Sequence, residues 1–441
     1  MLLTVDIGTS SFKSALWDFK GNRLSFCSVP LSVNIGRGSI QETDPAIWLR
    51  AFEKCCQKYL TDCGCEQLKK IEALVISGNG PSLVPVLGKP SAGNDLNVPA
   101  LNARLWLDRR AEKYQEAVKD VMGGFVDAGF FLPKIMHIKN EEKEIYEKID
   151  TFLGCPEYLA YALTGNAKTV FPSEGFDRWF WNDDVLRKLD LDRRKFPDFI
   201  RPGEPFGVLS QSAAKCFGFE GNIPVISGGP DFYAAILGSG VTMPGQALDR
   251  TGSSEGINLC TKKMINIKNF LSYRHPIKPY WNLSSIISRS GIAIEDECKR
   301  LGINNFDEFV SLANKNCDEK EKLSRAVLEN ICFQIKEIIL KIENENEDVK
   351  FDELRVTGGL SGCDLLNQLK ADITGKKIIT FDYKEAELLG CAIIGCCYLG
   401  KYASYPEASS VMLKIKKYYE PNLRTSNQPA CEFGKKQIPF R

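Results

Sequence analysis

Two short stretches combine a carboxylate with a turn of glycine and hydroxyl residues. The first is Asp6-Ile-Gly-Thr-Ser10, and the second is Asp249-Arg-Thr-Gly-Ser-Ser254. A turn of this composition exposes backbone N–H groups and hydroxyls that suit an anion, and a carboxylate beside it can hold Mg²⁺ over bound phosphates. Either turn alone could be an ordinary glycine turn with a local side-chain bond. Their repetition in one chain favours a phosphate site.

A third carboxylate, Asp231, follows Gly228-Gly229-Pro230 and begins a predicted helix. An aspartate at this place can serve simply as the helix N-cap. It can also accept the proton of an attacking hydroxyl while the helix N-terminus faces an anionic phosphoryl group. Because the two turns accompany it, we favour the catalytic role, with which capping is compatible.

One more glycine stretch, Thr357-Gly-Gly-Leu-Ser361, follows a predicted strand and precedes a predicted helix. The adjacent glycines Gly358 and Gly359 let a flat ligand approach the backbone closely, next to the positive end of a helix. By itself, this stretch is equally typical of a plain strand-to-helix turn.

Secondary-structure patterns place these residues at the ends of strands and in hairpins. The N-terminal strands are expected at 2–7, 12–18, 23–31 and 71–77, with a helix at 45–63 and a mostly helical stretch at 108–168. The pattern restarts near Pro224 with a strand at 224–227, a helix at 231–237, a hairpin at 247–260, a long helix at 322–345 and a strand at 354–357. A hairpin with a carboxylate and a small-residue turn therefore occurs once in each half, which indicates two related lobes.

Composition narrows the class of protein. The 441 residues carry 57 Lys and Arg against 56 Asp and Glu, without the basic surplus of a nucleic-acid-binding protein. No apolar run approaches the roughly 20 residues that span a bilayer, and the N-terminus lacks a basic export signal. The 16 cysteines show no zinc-ligand spacing, and without an export signal they are expected to be reduced. These features predict a cytoplasmic protein without a structural metal, a nucleic-acid partner or a membrane partner.

The motifs taken together resemble those of the FGGY carbohydrate kinases, within the actin, Hsp70 and sugar-kinase superfamily. The resemblance extends from the first strand to about Pro421, and each motif is common by itself. The order and spacing of the motifs make the resemblance specific. The matching stretches are Asp6-Ile-Gly-Thr-Ser10, Gln41-Glu-Thr-Asp-Pro-Ala-Ile-Trp48, Trp106-Leu-Asp108-Arg-Arg110, Leu132-Pro-Lys-Ile135, Tyr161-Ala-Leu-Thr-Gly165, Ser227-Gly-Gly-Pro-Asp231, Gly252-Ser-Ser254, Arg325-Ala-Val-Leu-Glu329, Gly358-Gly359 and Glu387-Leu-Leu-Gly390.

The resemblance implies an α/β fold of two ribonuclease-H-like lobes, of the actin-like ATPase type, on either side of a central cleft. Residues 1–226 are then the sugar-side lobe, residues 227–425 a shortened ATP-side lobe, and residues 426–441 a tail. It also implies an ATP-dependent and Mg²⁺-dependent kinase whose acceptor is a hydroxyl of a ketopentose such as xylulose, or of a related sugar or polyol. A homodimer is one assembly compatible with it.

The resemblance also assigns roles to individual residues. Asp231 is the proton acceptor and contacts the substrate, and Asp6 acts through Mg²⁺. The residues expected to bind phosphate and ATP are Gly8, Thr9, Ser10, Lys13, Thr251, Gly252, Ser253, Gly358 and Gly359, and those expected on the sugar side are Asn79, Trp106, Asp108 and Arg110. Plainer alternatives are a solvated hairpin lysine for Lys13, core packing for Trp106, and a surface ion pair for Asp108 and Arg110.

Two departures separate the chain from the family pattern. Gly78-Asn79-Gly80-Pro81 stands where the family has Gly-Gln-Met-His or similar. A Gly-Glu-Arg-x-Pro segment is expected before Arg325, but only residues 302–322 fill that interval and they do not contain it. The missing segment suggests one alternative, a catalytically impaired FGGY protein that binds sugar or nucleotide as a sensor. A second alternative is a nucleotide switch or chaperone like actin or Hsp70, against which the matches at 106–110 and 228–231 argue.

Overall fold

The structure is a computed structural model that describes residues 1–36, 39–90, 96, 98–220, 222–315, 317–346 and 349–422. The tail predicted at 426–441 lies outside these residues. The strands are β1 (Leu2–Ile7), β2 (Ser11–Trp17), β3 (Arg23–Pro30), β4 (Asn34–Ile35), β5 (Gln41–Thr43), β6 (Ala73–Gly78), β7 (Val84–Val86), β8 (Ala103–Arg104), β9 (Thr151–Leu153), β10 (Lys168–Val170), β11 (Asp198–Ile200), β12 (Pro205–Val208), β13 (Pro224–Pro230), β14 (Gln246–Thr251), β15 (Glu255–Thr261), β16 (Leu271–Arg274), β17 (Trp281–Ile287), β18 (Glu353–Gly358), β19 (Lys377–Phe381) and β20 (Ile415–Tyr419).

The α-helices are α1 (Ala46–Cys63), α2 (Cys65–Leu68), α3 (Gln115–Met122), α4 (Phe131–Glu141), α5 (Lys143–Lys148), α6 (Cys155–Thr164), α7 (Asp183–Lys188), α8 (Gln211–Phe217), α9 (Asp231–Gly238), α10 (Ser290–Leu301), α11 (Phe306–Lys315), α12 (Glu319–Glu345), α13 (Asp364–Thr374), α14 (Ala386–Tyr398) and α15 (Tyr405–Met412). Short 3₁₀ turns lie at Glu112–Tyr114, Asp177–Trp179, Arg193–Lys195 and Gly359–Gly362.

The first large sheet has the strand order β12-β13-β6-β1-β2-β3. Strands β1, β2 and β3 form the predicted antiparallel meander, whereas β1, β6 and β13 run parallel. All six residues of β1 are buried, as expected for a strand covered on both faces. The carboxyl ends of β1, β6 and β13 therefore meet at one edge of the sheet, the edge where ligands bind in open α/β folds.

The second large sheet has the order β16-β17-β15-β14-β18-β19-β20. Strands β14, β15 and β17 are antiparallel, and β14, β18 and β19 are parallel. The order β17-β15-β14-β18-β19 thus repeats the order β3-β2-β1-β6-β13 of the first sheet. The prediction that one ribonuclease-H-like design occurs twice is confirmed.

Helices cover the sheets through apolar faces that the sequence makes visible. Helix α1 buries Trp48, Phe52 and Tyr59, spaced four and seven residues apart and hence on one face of the helix, in the core of the first sheet. Helix α12 packs into the core of the second sheet and begins three residues before its predicted start. The reason is a capping box, in which Asp318 and Glu321 each accept a hydrogen bond from the backbone N–H of the other.

Strand β13 is longer than predicted. The sequence placed its end at Ser227 because two glycines follow, yet the pairing with β6 continues to Pro230. The register shifts between Ser227 and Gly229, and Gly229 has a φ of +75°. A bulge of this kind admits glycine into a strand without ending it.

The described residues form two compact units, residues 1–234 with 387–412, and residues 235–386 with 413–422. The boundary expected between 226 and 227 falls inside β13, which belongs to the first sheet. The return of α14 to the first unit was not predicted. In this helix, a side chain at Gly390 would meet the backbone of Ala234, so only glycine permits the observed packing.

The cysteines that the structure describes are all free thiols, as predicted. Among the helices of the described part of the chain, none is long and apolar enough to cross a bilayer.

Candidate active site

Two predicted carboxylates lie at the same edge of the first sheet. Asp6 on β1 is paired with Ser77 of β6, and on the other side of β6 the same Ser77 is paired with Gly229 of β13. Asp231 follows β13 as the first residue of α9, and its Oδ1 accepts a hydrogen bond from the Phe232 N–H at 2.6 Å. Strand β1, which carries Asp6, and strand β13, which Asp231 directly follows, are therefore separated only by strand β6.

Both carboxylates act electrostatically on the buried thiol of Cys155. Burial raises the pKa of Cys155 above its ordinary value, and the negative charges of Glu157, Asp6 and Asp231 raise it further. This edge of the sheet therefore concentrates negative charge, as a site for a cation or for a proton in transit requires.

The first turn, residues 8–10, connects β1 to β2. Gly8 N–H donates to the Ser11 carbonyl at 2.9 Å, and the Ser10 carbonyl accepts from Leu31 N–H at 2.9 Å. The indole Nε1 of Trp106 donates to Thr9 Oγ1 at 3.0 Å. The predicted sugar-side residue Trp106 and the predicted phosphate-binding residue Thr9 are thus in direct contact.

Lys13 lies directly across the β1–β2 hairpin from Asp6 and is half-buried. Side chains that are directly opposite in an antiparallel pair lie on the same face. Lys13 therefore places a positive charge on the face that carries Asp6, in keeping with the predicted phosphate-side role.

Asn79 joins the ends of β6 and β1. Its backbone N–H and its Nδ2 both donate to the Ile7 carbonyl, at 2.8 and 2.9 Å, and its Oδ1 accepts from Ser82 Oγ at 2.6 Å. The side chain is buried. Asn79 thus fixes the chain immediately before the first turn.

A narrow cavity of about 50 Å³ lies in the first unit beside Asn79. Aromatic side chains from α4, the 176–180 segment and α9 form much of its wall. Its lining residues include Asn79, Ser82, Phe131, Cys155, Glu157, Phe176, Trp179, Phe180, Pro230 and Phe232. Since Pro230 and Phe232 flank Asp231 in the chain, the cavity lies next to the predicted proton acceptor.

Asp108 and Arg110 are not among the residues that line this cavity. Asp108 is fully buried and accepts hydrogen bonds from the Arg110 side chain and from Gln41 N–H, and Arg110 also pairs with Glu42 at 2.9 Å. Although burial opposes it, these hydrogen bonds hold the pKa of Asp108 below its ordinary value. The geometry is that of an ion-pair network that anchors this loop to β5, and a substrate contact by these two residues stays a prediction.

Lys134 of α4 was not singled out in the sequence as a functional residue. Its ammonium group is completely buried and donates to the carbonyls of Pro81, Arg104 and Leu105, at 2.8, 3.2 and 2.7 Å. It therefore ties the segment after Asn79 to the segment before Trp106. The Leu132-Pro-Lys-Ile135 match was the available signal, but its spacing does not reveal which carbonyls the lysine reaches.

The second unit repeats the arrangement of strand ends and turns. Thr251 ends β14 and is paired with Gly358, which ends β18. The buried Thr251 hydroxyl donates to the Thr357 carbonyl at 2.8 Å and accepts from Leu360 N–H at 3.0 Å. A side chain at Gly358 would collide with the Thr251 carbonyl, and the φ of Gly358 is +88°. The predicted nucleotide residues of the two stretches are thus brought together.

A wider cavity of about 450 Å³ opens beside this pair of turns. Gly252, Ser253, Gly359 and Leu360 line it, and the remaining wall comes from α10 and the segment that follows it. That wall includes Gly291, Ile294, Cys298, Lys299, Ile303, Asn304, Asn305 and Phe306. Sequence reasoning did not identify these wall residues, because they contain no motif and depend on how α10 packs against the turn.

A buried charge cluster lies under the second turn. Lys370 of α13 donates to Asp249 Oδ2 at 2.5 Å and to Glu255 Oε1, and all three side chains are fully buried. Burial raises the pKa of Glu255, with Asp249 acting in the same direction. Burial alone would lower the pKa of Lys370, but Asp249 and Glu255 raise it, so the lysine stays charged. The cluster clamps the two strands that hold residues 252–254.

The donor set at the edge of the first sheet is chemically suited to Mg²⁺. This ion keeps several waters and is held in proteins by one or two carboxylates together with substrate phosphates. Asp6, on the strand that leads into the first turn, is the carboxylate predicted for this role. Within the described ranges, no cluster of three or more His, Cys, Asp or Glu side chains forms a separate metal cage.

Comparison with known proteins identifies similar sequences and folds. The family model for the N-terminal domain of the FGGY family of carbohydrate kinases matches residues 1–238, and that for the C-terminal domain matches residues 309–399. A xylulose kinase from Lactococcus lactis subsp. lactis (strain IL1403) is 24% identical, over 94% of this chain and 91% of the relative.

Solved structures share the fold. The ligand-bound xylulose kinase from Lactobacillus acidophilus superposes with a TM-score of 0.80 at 18% identity, covering 97% of this chain and 95% of that one. Plasmodium falciparum glycerol kinase with ADP gives a TM-score of 0.78 at 19% identity, covering 95% and 94%. The predicted architecture of two actin-like ATPase lobes is therefore confirmed.

Proposed function

The chain belongs to the FGGY family of carbohydrate kinases and is thus a phosphotransferase, and on that premise we propose that it transfers the γ-phosphoryl group of ATP to a hydroxyl of a ketopentose such as xylulose, or of a related sugar or polyol. The proposal depends mainly on one observation: Asp6 and Asp231 lie at the same edge of the first sheet, on either side of β6. The relative from Lactococcus lactis, a xylulose kinase, supports the choice of acceptor.

Asp231 acts as the proton acceptor. Its carboxylate takes the proton of the acceptor hydroxyl while the hydroxyl oxygen bonds to the γ-phosphorus and the bond to the β-phosphate oxygen breaks, which releases ADP. The N-terminus of α9, at which Asp231 lies, favours negative charge on the approaching phosphoryl group.

The turns stabilise phosphoryl oxygens. In the first unit, the Thr9 and Ser10 backbone and hydroxyl groups and the Lys13 ammonium group supply hydrogen bonds and positive charge. In the second unit, Gly252 and Ser253 bind phosphate, and Gly358 and Gly359 let the nucleoside approach the backbone. The cavity beside them, with its apolar residues Ile294, Ile303 and Phe306, suits a planar base.

Asp6 is the residue that would hold Mg²⁺, whose charge offsets that of the phosphates when it is bound. Because β1 is buried on both faces and paired on both sides, the Asp6 carboxylate is held on a rigid element. Phosphoryl transfer needs such positioning more than covalent chemistry.

The test is ADP release with Mg²⁺ and ATP across a panel of ketoses, aldoses and polyols, with a blank that lacks acceptor. We expect one acceptor class to stimulate release strongly. Binding of nucleotide without stimulation by any member of the panel would contradict the kinase proposal and would favour a nucleotide sensor.

A further inference from the structure

A buried carboxyl pair lies directly under the second turn. Asp249 is on β14 and Glu255 is the first residue of β15, so the pair flanks residues 252–254 in the chain. Thr251 is opposite Glu255 in the hairpin and two residues from Asp249, which places the three side chains on one face of the sheet. Lys370 reaches both carboxyl groups from α13. One cation therefore faces two carboxyl groups under a predicted phosphate-binding turn.

This cluster contains more acid than base. Lys370 carries one positive charge, and two ionised carboxyl groups would leave one negative charge uncompensated at a fully buried place. Oδ1 of Asp249 and Oε2 of Glu255 are buried, and no N–H or hydroxyl group of the described residues donates to them. The two carboxyl groups are hydrogen-bonded to each other. Since a carboxylate can only accept a hydrogen bond, this contact requires a proton on one of the two groups.

Glu255 is the group that holds this proton. Its pKa is raised from 4.5 to about 8, first by burial and then by the negative charge of Asp249, while Lys370 acts in the opposite direction. Near neutral pH the cluster therefore consists of one ammonium group, one carboxylate and one carboxylic acid. Its net charge is zero.

The titratable groups around the cluster do not replace this proton. The Cys332 thiol faces the cluster from α12, and burial raises its pKa so far that it stays neutral. Burial also raises the pKa of the Cys363 thiol, at the start of α13. Glu329, three residues before Cys332, is paired with Arg325 at 2.8 Å. A proton lost from this region near pH 8 therefore comes from the carboxyl pair.

We propose that Glu255 is a positioning residue for the nucleotide phosphates and that it acts through the proton shared with Asp249. The inference rests on the proposed binding of ATP phosphates at residues 252–254 and adds a pH dependence to it. While the proton is in place, the cluster is neutral and holds both strands of the hairpin. When the proton leaves to solvent, a buried negative charge lies under the turn and repels the phosphates. Nucleotide binding and proton binding thus favour each other.

The test is the dissociation constant of ADP with Mg²⁺, measured by isothermal titration calorimetry at pH 7.5 and pH 9.0. ADP is chosen because it is not turned over in the absence of an acceptor. One titrating group changes an affinity by at most about tenfold per pH unit, and we expect the dissociation constant to rise about fivefold between the two pH values.

Two variants remove the shared proton in different ways. Glu255→Gln keeps the size of the side chain and a hydrogen bond to Asp249 but has no titrating group, so the affinity for ADP should not change between the two pH values. Asp249→Asn leaves Glu255 with Lys370 as its ion-pair partner, and this pair is neutral at both pH values, so the profile should again be flat. Glu337→Gln, at an exposed carboxylate of α12, is the control and should show the pH dependence of the unmodified protein.

The outcomes separate this inference from the kinase proposal. Equal affinity of the unmodified protein for ADP at both pH values would overturn the role of the shared proton and leave the kinase proposal standing. A pH dependence that persists in either folded variant would also overturn it, since another group would then be responsible. The two substitutions lie on different strands, so if one variant does not fold, the other still gives the result. Absence of ADP binding at both pH values would overturn the proposed nucleotide site and the inference together.

Discussion

Asp6 and Asp231 lie at the carboxyl ends of two parallel strands that flank the same strand, β6. The two residues are 225 positions apart in the sequence, and the pairing of β1 and β13 with β6 brings them to one edge. Both carboxylates raise the pKa of the buried Cys155 thiol, in addition to the effect of its burial. The chemistry proposed for the first unit depends on this relationship.

The hydrogen bond from Trp106 to Thr9 gives a first prediction. Trp106→Phe keeps an aromatic ring but removes the donor that holds the first turn. A hydrogen bond of this kind contributes about 1 kcal/mol, so kcat/KM should fall by roughly five- to tenfold. The indole is partly exposed, and the thermal midpoint should therefore change little. Steady-state kinetics and thermal unfolding of the same preparation check both statements.

Trp181→Phe is the matched control for this variant. The Nε1 of Trp181 is buried and has no hydrogen-bond partner among the described residues. Its removal should therefore leave kcat/KM unchanged. Equal kinetic effects of the two substitutions would argue against a specific role of the Trp106–Thr9 bond.

The buried cluster of Lys370, Asp249 and Glu255 gives a second prediction. Lys370→Met leaves two buried carboxyl groups without their cation, and removal of one partner of a buried pair costs about 3–5 kcal/mol. The free energy of unfolding in urea should fall by that amount. The KM for ATP should also rise, because the cluster supports the turn at residues 252–254.

A triple variant, Asp249→Asn with Glu255→Gln and Lys370→Met, removes all three charges together. Neutral replacements of similar size should recover most of the lost stability. Lys119→Met, which breaks an exposed pair with Glu116 on α3, should leave the urea midpoint unchanged. A triple variant no more stable than Lys370→Met would show that packing, and not uncompensated charge, explains the loss.

The pH dependence of stability follows from Glu157. Burial raises the pKa of this carboxyl from 4.5 to about 7, although hydrogen bonds from backbone N–H groups oppose the shift. Between these two pH values the folded protein holds a proton that the unfolded chain has released. The free energy of unfolding that this group contributes is thus fully present below about pH 4.5 and is lost as the pH rises to about 7, by roughly 3 kcal/mol.

Glu157→Gln should remove this dependence. The variant should match the unmodified protein near pH 4.5 and become the more stable of the two by pH 7.5, measured by urea unfolding at both pH values. Glu116→Gln, at an exposed carboxylate, serves as the control and should follow the unmodified protein. Parallel profiles for Glu157→Gln and the unmodified protein would contradict the raised pKa.

The local parts of the site were accessible from the sequence. Glycine and hydroxyl residues at 8–10 and 252–254 predict turns, and the apolar runs before them predict buried strands, because both signals act over a few residues. Strand β13 was predicted too short for the same reason. A local pattern shows two glycines after Ser227, but the pairing with β6 that carries the strand to Pro230 is a long-range effect.

The parts that were missed depend on distant contacts. The sequence pattern around Lys370 is typical of the polar face of an amphipathic helix. Only the packing of α13 shows that Lys370 reaches Asp249. Likewise, Phe131, Trp179 and Phe232 come from three separate segments, and no spacing rule indicates that their rings line one cavity. The departure at residues 78–81 was the available signal in this region, and these four residues line the cavity.

Asp231→Asn tests the central claim most directly. Asparagine fills nearly the same space and is as good a residue as aspartate at a helix start, but it cannot accept the proton. With Mg²⁺, ATP and the best acceptor, we predict that kcat falls by about 10²- to 10⁴-fold, while the affinity for ATP changes less than about twofold. Asp183→Asn, in the first turn of α7, is the control and should keep full turnover. Turnover of Asp231→Asn close to that of the unmodified protein would contradict the account.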